Sequence, residues 1–268
     1  MLKDITLGQY FPGDTVAHRL DPRTKILLVV LYIIALFCAK NLLSYALLAV
    51  VLAVCVRISQ VGLRPLVRGL KPVLFIIVFT ALLNLFFTPG DRYLLEWGFL
   101  RVSDTGLRNA VFMVVRIMLL IMGTFLMTYT TSPISLTDGL ERLLNWMKRL
   151  HVPVHELSMM MSIALRFIPT LIEETDKIMS AQKARGADFE SGGLIQKAKA
   201  LIPILVPLFI SAFRRADELA TAMECRCYHG GEGRTKLHVL QYQARDYIAL
   251  AAGAAILAVV IVMRNLEI

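Results

Sequence analysis

Residues 110–129 read AVFMVVRIMLLIMGTFLMTY, a run in which Arg116 is the single charged side chain. An α-helix needs about 20 mostly apolar residues to cross the hydrocarbon core of a bilayer. The whole chain of 268 residues is 57% hydrophobic, and its mean hydropathy is +0.64. Both values exceed those of ordinary soluble domains. The sequence therefore predicts an integral membrane protein.

Four further apolar segments flank this run, at residues 26–39, 42–56, 73–87 and 247–263. The first three are short against the ~20 residues of a spanning helix, but their flanks lengthen each by a turn. We therefore predict an all-α integral membrane protein with about five transmembrane helices. Residues 1–129 form an N-terminal membrane region with four spans, and residues 247–268 form a C-terminal span.

The charges of the connecting segments predict an orientation. Arg57, Arg64, Arg68 and Lys71 follow the second span with no acid between them, and cytoplasmic loops collect such residues. The N-terminus is then inside and the C-terminus outside, in a multi-pass protein of the cell membrane. On a soluble protein the formal charge of +9 would suggest nucleic-acid binding. Here topology explains it, so we expect the lipid bilayer, and no nucleic acid, as a partner.

Residues 130–246 are too long for a connection without structure, and we predict a cytoplasmic domain of long amphipathic helices there. Apolar residues recur at spacings of three and four. They are Leu157, Met160, Met161, Ala164, Leu165, Ile168, Leu171, Ile172, Ile178 and Met179, then Ala198, Leu201, Leu205, Leu208, Ala212, Leu219 and Met223. Pro169, Pro203 and Pro207 are expected to bend or interrupt these helices. The Met-rich face is either a repacking partner surface or an ordinary apolar stripe.

The sequence lacks the motifs of several enzyme classes. It has no P-loop, no His-Glu-x-x-His and no Gly-x-Ser-x-Gly elbow. Cys225, Cys227 and His229 lack a second pair of ligands at a zinc-site spacing. We therefore expect no catalytic residue, no metal and no cofactor bound by this chain.

Arg116 and the segment before the first span each allow a structural interpretation. Intramembrane charges are candidates for function, but a lone Arg also serves as an anchor on a helix carbonyl or a lipid headgroup. Asp21 suits an N-cap and Pro22 a first helical residue. The capped helix start accounts for that segment without a function.

Two triplets with a central arginine end the two long helical patterns. They are Ala184, Arg185, Gly186 and Cys225, Arg226, Cys227. A cation in the last turn favours the helix dipole, and Gly186 suits a left-handed cap. Small neighbours leave each guanidinium free to bind carboxylates or carbonyls of a partner.

These motifs together resemble the transmembrane (T) component of energy-coupling-factor (ECF) transporters. The resemblance rests on the segment from His18 to Lys25, on Pro153 and His155, on Leu165, Arg166, Phe167, Ile168 and Pro169, and on Gln182 with the two triplets. It implies a non-enzymatic subunit of an ABC importer for a vitamin or metal ion. Residues 130–246 become its coupling helices, which join a substrate-binding S component to two ABC-type ATPase subunits.

The resemblance also implies where the ATPases dock. Arg185 and Arg226 are the docking residues, with Ala184, Gly186, Cys225 and Cys227 around them, and the partner ATPases bind the ATP and magnesium. The second triplet departs from the family pattern, because cysteines replace the commoner Ala and Gly.

Two other classes of membrane protein remain as alternatives. A self-sufficient secondary transporter or channel needs paired intramembrane charges or matched broken spans, and the sequence offers a lone Arg116 and no internal repeat. A membrane-embedded enzyme needs clustered His, Asp or Glu, whereas the acids here are scattered. Copurification of ATPases distinguishes the coupling subunit from both.

Overall fold

The computed structural model describes residues 10–88, 93–97, 100–187, 189, 193–230 and 239–265. Its helices are α1 (Pro22–Cys38), α2 (Leu42–Ser59), α3 (Leu63–Leu70), α4 (Leu74–Phe87), α5 (Asp104–Thr130), α6 (Pro133–Leu144), α7 (Val154–Ala184), α8 (Leu194–Cys225) and α9 (Ala244–Asn265). Short 3-10 turns at Lys71–Val73 and Asn145–Leu150 join α3 to α4 and follow α6. The predicted all-α membrane class is confirmed. One antiparallel hairpin, β1 (Tyr93–Trp97) with β2 (Leu100–Ser103), was not predicted.

Four segments of the described chain are long and apolar enough to cross a membrane. They are Leu42–Ser59, Leu63–Phe87, Asp104–Thr130 and Ala244–Asn265. The predicted first span corresponds to α1, which has 17 residues. At 1.5 Å per residue it is about 25 Å long, below the ~30 Å of a hydrocarbon core. The structure therefore supports four of the five predicted spans by length and leaves the first one short.

The described residues divide into two compact units. One lies within Gly8–Leu140 and Leu240–Ile268, and the other within Glu141–Val239. These units change after residues 140 and 239. The predicted domain boundaries after residues 129 and 246 differ from them, because the prediction follows hydropathy rather than packing. Compactness does not report which residues lie in the membrane or the cytoplasm, so that division stays a prediction.

The start of α1 forms as the sequence predicts. The Asp21 carboxylate accepts a hydrogen bond from the Arg23 backbone N–H at 2.9 Å, and Pro22 occupies the first helical position. The Arg23 guanidinium also donates to Asp21 at 2.8 Å. Burial raises the pKa of Asp21, but these hydrogen bonds and the charges of Arg23 and Lys25 outweigh it and lower the pKa. The cap is therefore an ionised carboxylate.

Buried polar groups hold the start of α1 beside the start of α9. Asp246 is 1% exposed, and its carboxylate accepts from the Asp21 backbone N–H at 2.9 Å. Near the far ends of the same helices, the Asn41 side-chain amide donates to the Met263 carbonyl at 3.1 Å. Contacts at both ends mean that α1 and α9 run in the same direction.

Arg116 in α5 has neutral partners. Its guanidinium donates to the Tyr45 hydroxyl at 2.6 and 2.9 Å and to the Ala39 carbonyl at 3.3 Å. Ala39 caps the C-terminal end of α1, where carbonyls lack helical partners. The Tyr45 ring is buried and stacks on Phe112 with centroids 5.2 Å apart. Arg116 therefore acts as a structural anchor on a helix carbonyl.

The second unit contains the two longest helices. Both continue through their prolines: α7 contains Pro169, and α8 contains Pro203 and Pro207. Of the two predicted effects, interruption therefore does not occur, and a bend at each proline stays a prediction. A helical proline lacks the N–H for one backbone hydrogen bond, and both helices continue without it.

Candidate functional site

The candidate site consists of the C-terminal ends of α7 and α8, so the pairing of these helices sets its geometry. The Tyr228 hydroxyl donates to the Met159 sulfur at 3.1 Å, which joins the end of α8 to the beginning of α7. The Gln182 amide lies 3.4 Å from the Pro203 carbonyl, which joins the end of α7 to the first third of α8. The two helices therefore pack antiparallel.

An ion pair connects the middle of the two helices. The Arg215 guanidinium donates to Glu174 at 2.9 Å. Ser211 also hydrogen-bonds to Glu174, and together with Arg215 it lowers the pKa of that carboxyl. Both side chains keep contact with solvent, so the pair contributes about 1 kcal/mol or less. The pair therefore contributes more to the register of the two helices than to their stability.

The first triplet, residues 184–186, is exposed at the end of α7. Arg185 caps the helix, and Gly186 has φ +90°. The Gly186 N–H donates to the Lys183 carbonyl at 3.0 Å, and the Ala187 N–H donates to the Gln182 carbonyl at 3.0 Å. This pair of bonds is a Schellman motif. The predicted left-handed cap at Gly186 is confirmed.

The second triplet, residues 225–227, ends α8 in the same way and is equally exposed. Arg226 caps the helix, and Cys227 has φ +56°. The Cys227 N–H donates to the Glu224 carbonyl at 2.8 Å, and the Tyr228 N–H donates to the Met223 carbonyl at 3.0 Å. Arg185 and Arg226 therefore occupy the same position in two caps of the same type. The sequence does not indicate this likeness, because the flanking residues differ.

The structure does not bring the two triplets together. Because α7 and α8 are antiparallel, Arg185 lies beside the first third of α8, near Pro203, and Arg226 lies at its far end. The chain advances 23 residues from Pro203 to Arg226, which corresponds to about 35 Å of helix. The two arginines therefore lie at opposite ends of the antiparallel helix pair.

The cysteines of the second triplet are free thiols. Cys225 and Cys227 are both exposed. Within the described part of the chain, no three His, Cys, Asp or Glu side chains are grouped closely enough to hold a metal ion.

An exposed apolar face of α8 is the feature that the sequence analysis missed. Phe209 and Phe213 are 62% and 70% exposed, and the neighbouring large residues are also open. They are Ile202, Val206 and Ile210. Of the methionines on α7, Met160 and Met161 are exposed, whereas Met159 and Met179 are half-buried. The spacing 202, 206, 209, 213 follows a helix face and was available in the sequence.

Replacing Cys227 by Gly is expected to stabilise the end of α8. A left-handed backbone costs a side-chain-bearing residue about 1–2 kcal/mol, and Gly avoids that cost. Gly also gives the unfolded chain more conformational freedom, which offsets part of this gain. The expected net increase in the free energy of unfolding is about 1 kcal/mol. Gly186→Ala places a Cβ in the equivalent position of α7 and should lose a similar amount. Thermal unfolding of the detergent-purified chain measures both, and equal melting temperatures for all three proteins would contradict the shared cap.

Comparisons with known proteins agree on one family. The profile of the CbiQ family, described as cobalt transport protein, matches residues 13–237. The chain is 54% identical over 265 residues to the energy-coupling factor transporter transmembrane protein EcfT of Clostridium kluyveri, covering 98% of each chain. It is 49% identical over 246 residues to the protein of the same name from Bacillus subtilis, covering 92% of this chain and 93% of that one.

Proposed function

Since this chain belongs to the CbiQ family and is a transmembrane component of energy-coupling factor transporters, we propose that it is their coupling subunit. It transmits ATP-driven motion of two cytoplasmic ATPases to a membrane-embedded, substrate-binding S component. The imported substrate is a vitamin or a metal ion, and the S component selects it.

The matched ends of α7 and α8 carry this proposal. Each presents one exposed arginine, Arg185 or Arg226, on the same Schellman cap. A guanidinium fork suits carboxylates and backbone carbonyls of a partner. Two equivalent points about 35 Å apart favour two equivalent partners over one, so each ATPase takes one arginine. The small residues beside the arginines allow a partner's groove to close around them.

The exposed apolar face of α8 supports the second half of the proposal. In the single chain this face is exposed through Ile202, Val206, Phe209, Ile210 and Phe213. Single apolar residues scattered over a surface are normal, but a contiguous apolar face of this kind suits burial against a partner. The S component, itself apolar, is the occupant that the proposed function supplies. Movement of the helix ends by the ATPases then moves the S component directly, because α8 carries both contacts.

The ATPases supply the nucleotide chemistry in this proposal. ATP and magnesium bind to them, and the present chain has no P-loop with which to hold a phosphate. The isolated chain is therefore expected to show no ATP turnover above a mock preparation.

The proposed orientation places the N-terminus in the cytoplasm and the C-terminus outside. It is supported by the excess of basic residues after α2 and by the parallel course of α1 and α9. A Trp97→Cys variant, on a background without the four native cysteines, should react with an impermeant thiol reagent added outside whole cells. Reaction only after the cytoplasmic face is opened would contradict this orientation.

Purification of the tagged chain from its native membranes tests the function. Mass spectrometry should find two ATPase subunits and one small membrane protein in stoichiometric amounts. Recovery of the chain alone, together with substrate transport by the chain reconstituted alone, would instead show a self-sufficient secondary transporter or channel.

A further inference from the structure

The end of α2 and the whole of α3 form a strongly basic surface that the coupling function does not use. Arg57, Arg64, Arg68 and Lys71 are all exposed. Between Asp21 and Asp91 the sequence contains no acidic residue, and among the described residues none of the four basic side chains has an ion pair. We propose that this surface, the basic α3 surface, binds the headgroup phosphate of an anionic phospholipid.

The arrangement of α3 concentrates the positive charge on one side. Arg64 and Arg68 are one turn apart, about 40° from each other around the helix axis. Leu66 and Leu70 are buried on another side. Like charges at this spacing destabilise a helix, and in the described structure no acid offsets them. A phosphate between the two guanidinium groups removes that repulsion.

The apolar neighbours of the arginines select a lipid over a soluble anion. Leu63 and Val67 are exposed next to the arginines, and beyond Lys71 the exposed surface of α4 is wholly apolar through Leu74, Phe75, Ile76, Val78, Phe79, Leu82 and Leu83. The basic α3 surface thus lies where an apolar, membrane-crossing face begins. Phosphate groups and acyl chains of a lipid meet at the same boundary.

Packing on α5 holds α3 in place. The Tyr129 hydroxyl donates to the Pro65 carbonyl at 3.3 Å. The Phe125 ring occupies the space in which a Cβ at Gly69 would lie. The position of α3 is therefore fixed by the protein itself, before a lipid arrives.

Binding of lipid to the full-length chain in neutral detergent tests the proposal. We expect native mass spectrometry to detect tight binding of phosphatidylglycerol and weak binding of phosphatidylcholine. Each basic residue near a charged lipid contributes about fivefold, or ~1 kcal/mol. The R57Q/R64Q/R68Q variant should therefore bind phosphatidylglycerol on the order of 100-fold more weakly. High salt should weaken binding to the unmodified chain.

Two control variants separate this surface from general effects of charge or folding. K40Q/R264Q removes two exposed basic residues that lie outside the basic α3 surface, near the C-terminal ends of α1 and α9. This variant should bind the lipid as the unmodified chain does. R64K/R68K keeps the charge and should retain most of the affinity, which also shows that the surface still folds. Equal lipid binding by R57Q/R64Q/R68Q and the unmodified chain would overturn the proposal. Competition by inorganic phosphate at the lipid's own concentration would overturn it too, since the site would then take a free anion.

Discussion

Replacing both Arg185 and Arg226 with Glu should separate the chain from its ATPases and reduce substrate uptake to background. Truncating one partner of a buried, hydrogen-bonded charge pair costs roughly 2–5 kcal/mol. At ~1.4 kcal/mol per decade, each lost arginine weakens its contact about thirtyfold or more. The introduced carboxylates add repulsion against an acidic groove. The measurement combines ATPase copurification with uptake of the substrate.

Single substitutions are expected to be milder. With Arg185→Ala or Arg226→Ala, the remaining end still tethers its ATPase, so assembly survives while transport falls. Arg214→Glu is the matched control, because Arg214 is an exposed arginine within α8, away from either end. It should keep both ATPases and parental transport. Retention of both ATPases and parental uptake by the double Glu variant would mean that the arginines do not dock them.

Removing the Tyr45 hydroxyl should destabilise the membrane unit more than removing the charge of Arg116. Tyr45→Phe deletes the acceptor of two Arg116 N–H bonds and leaves the guanidinium with the Ala39 carbonyl. An unsatisfied buried polar group costs about 1–3 kcal/mol, and more when it is charged. We therefore expect a loss of about 3 kcal/mol.

Arg116→Leu should cost less than about 1 kcal/mol, because it also removes the desolvation cost of a charge in an apolar surrounding. The Tyr45 hydroxyl then keeps its own hydrogen bond to the Ala39 carbonyl at 3.2 Å. The double variant should be more stable than Tyr45→Phe alone. Unfolding of the purified chain in detergent gives all three values, and equal losses for the two single variants would contradict this arrangement.

Local features of the fold were predictable because each depends on neighbouring residues. The apolar run of α5 and the cap formed by Asp21 and Pro22 are such features. The β1–β2 hairpin was missed because its charged residues indicated an ordinary polar connection. The contact between Asp21 and Asp246 joins positions 225 residues apart, and no local pattern records it.

The candidate site shows the same division. The sequence identified both arginines, and the glycine after Arg185 indicated the left-handed cap. Cysteine has no preference for the left-handed backbone conformation. The matching cap at Cys227 was therefore found only in the structure. The placement of the two arginines at opposite ends depends on the antiparallel packing of α7 and α8. That packing arises from tertiary contacts such as Glu174 with Arg215, which the helical periodicity of either segment does not contain.

Cross-linking from the two helix ends tests the coupling account most directly. Cys227 kept as the single cysteine provides a thiol beside Arg226, and Ala184→Cys on a background without the four native cysteines provides one beside Arg185. Arg214→Cys is made on the same cysteine-free background. In the intact complex, a short thiol-directed photo-cross-linker at either position should capture an ATPase subunit, and Arg214→Cys should capture none. An intact complex in which neither position 184 nor position 227 cross-links to an ATPase would contradict the account.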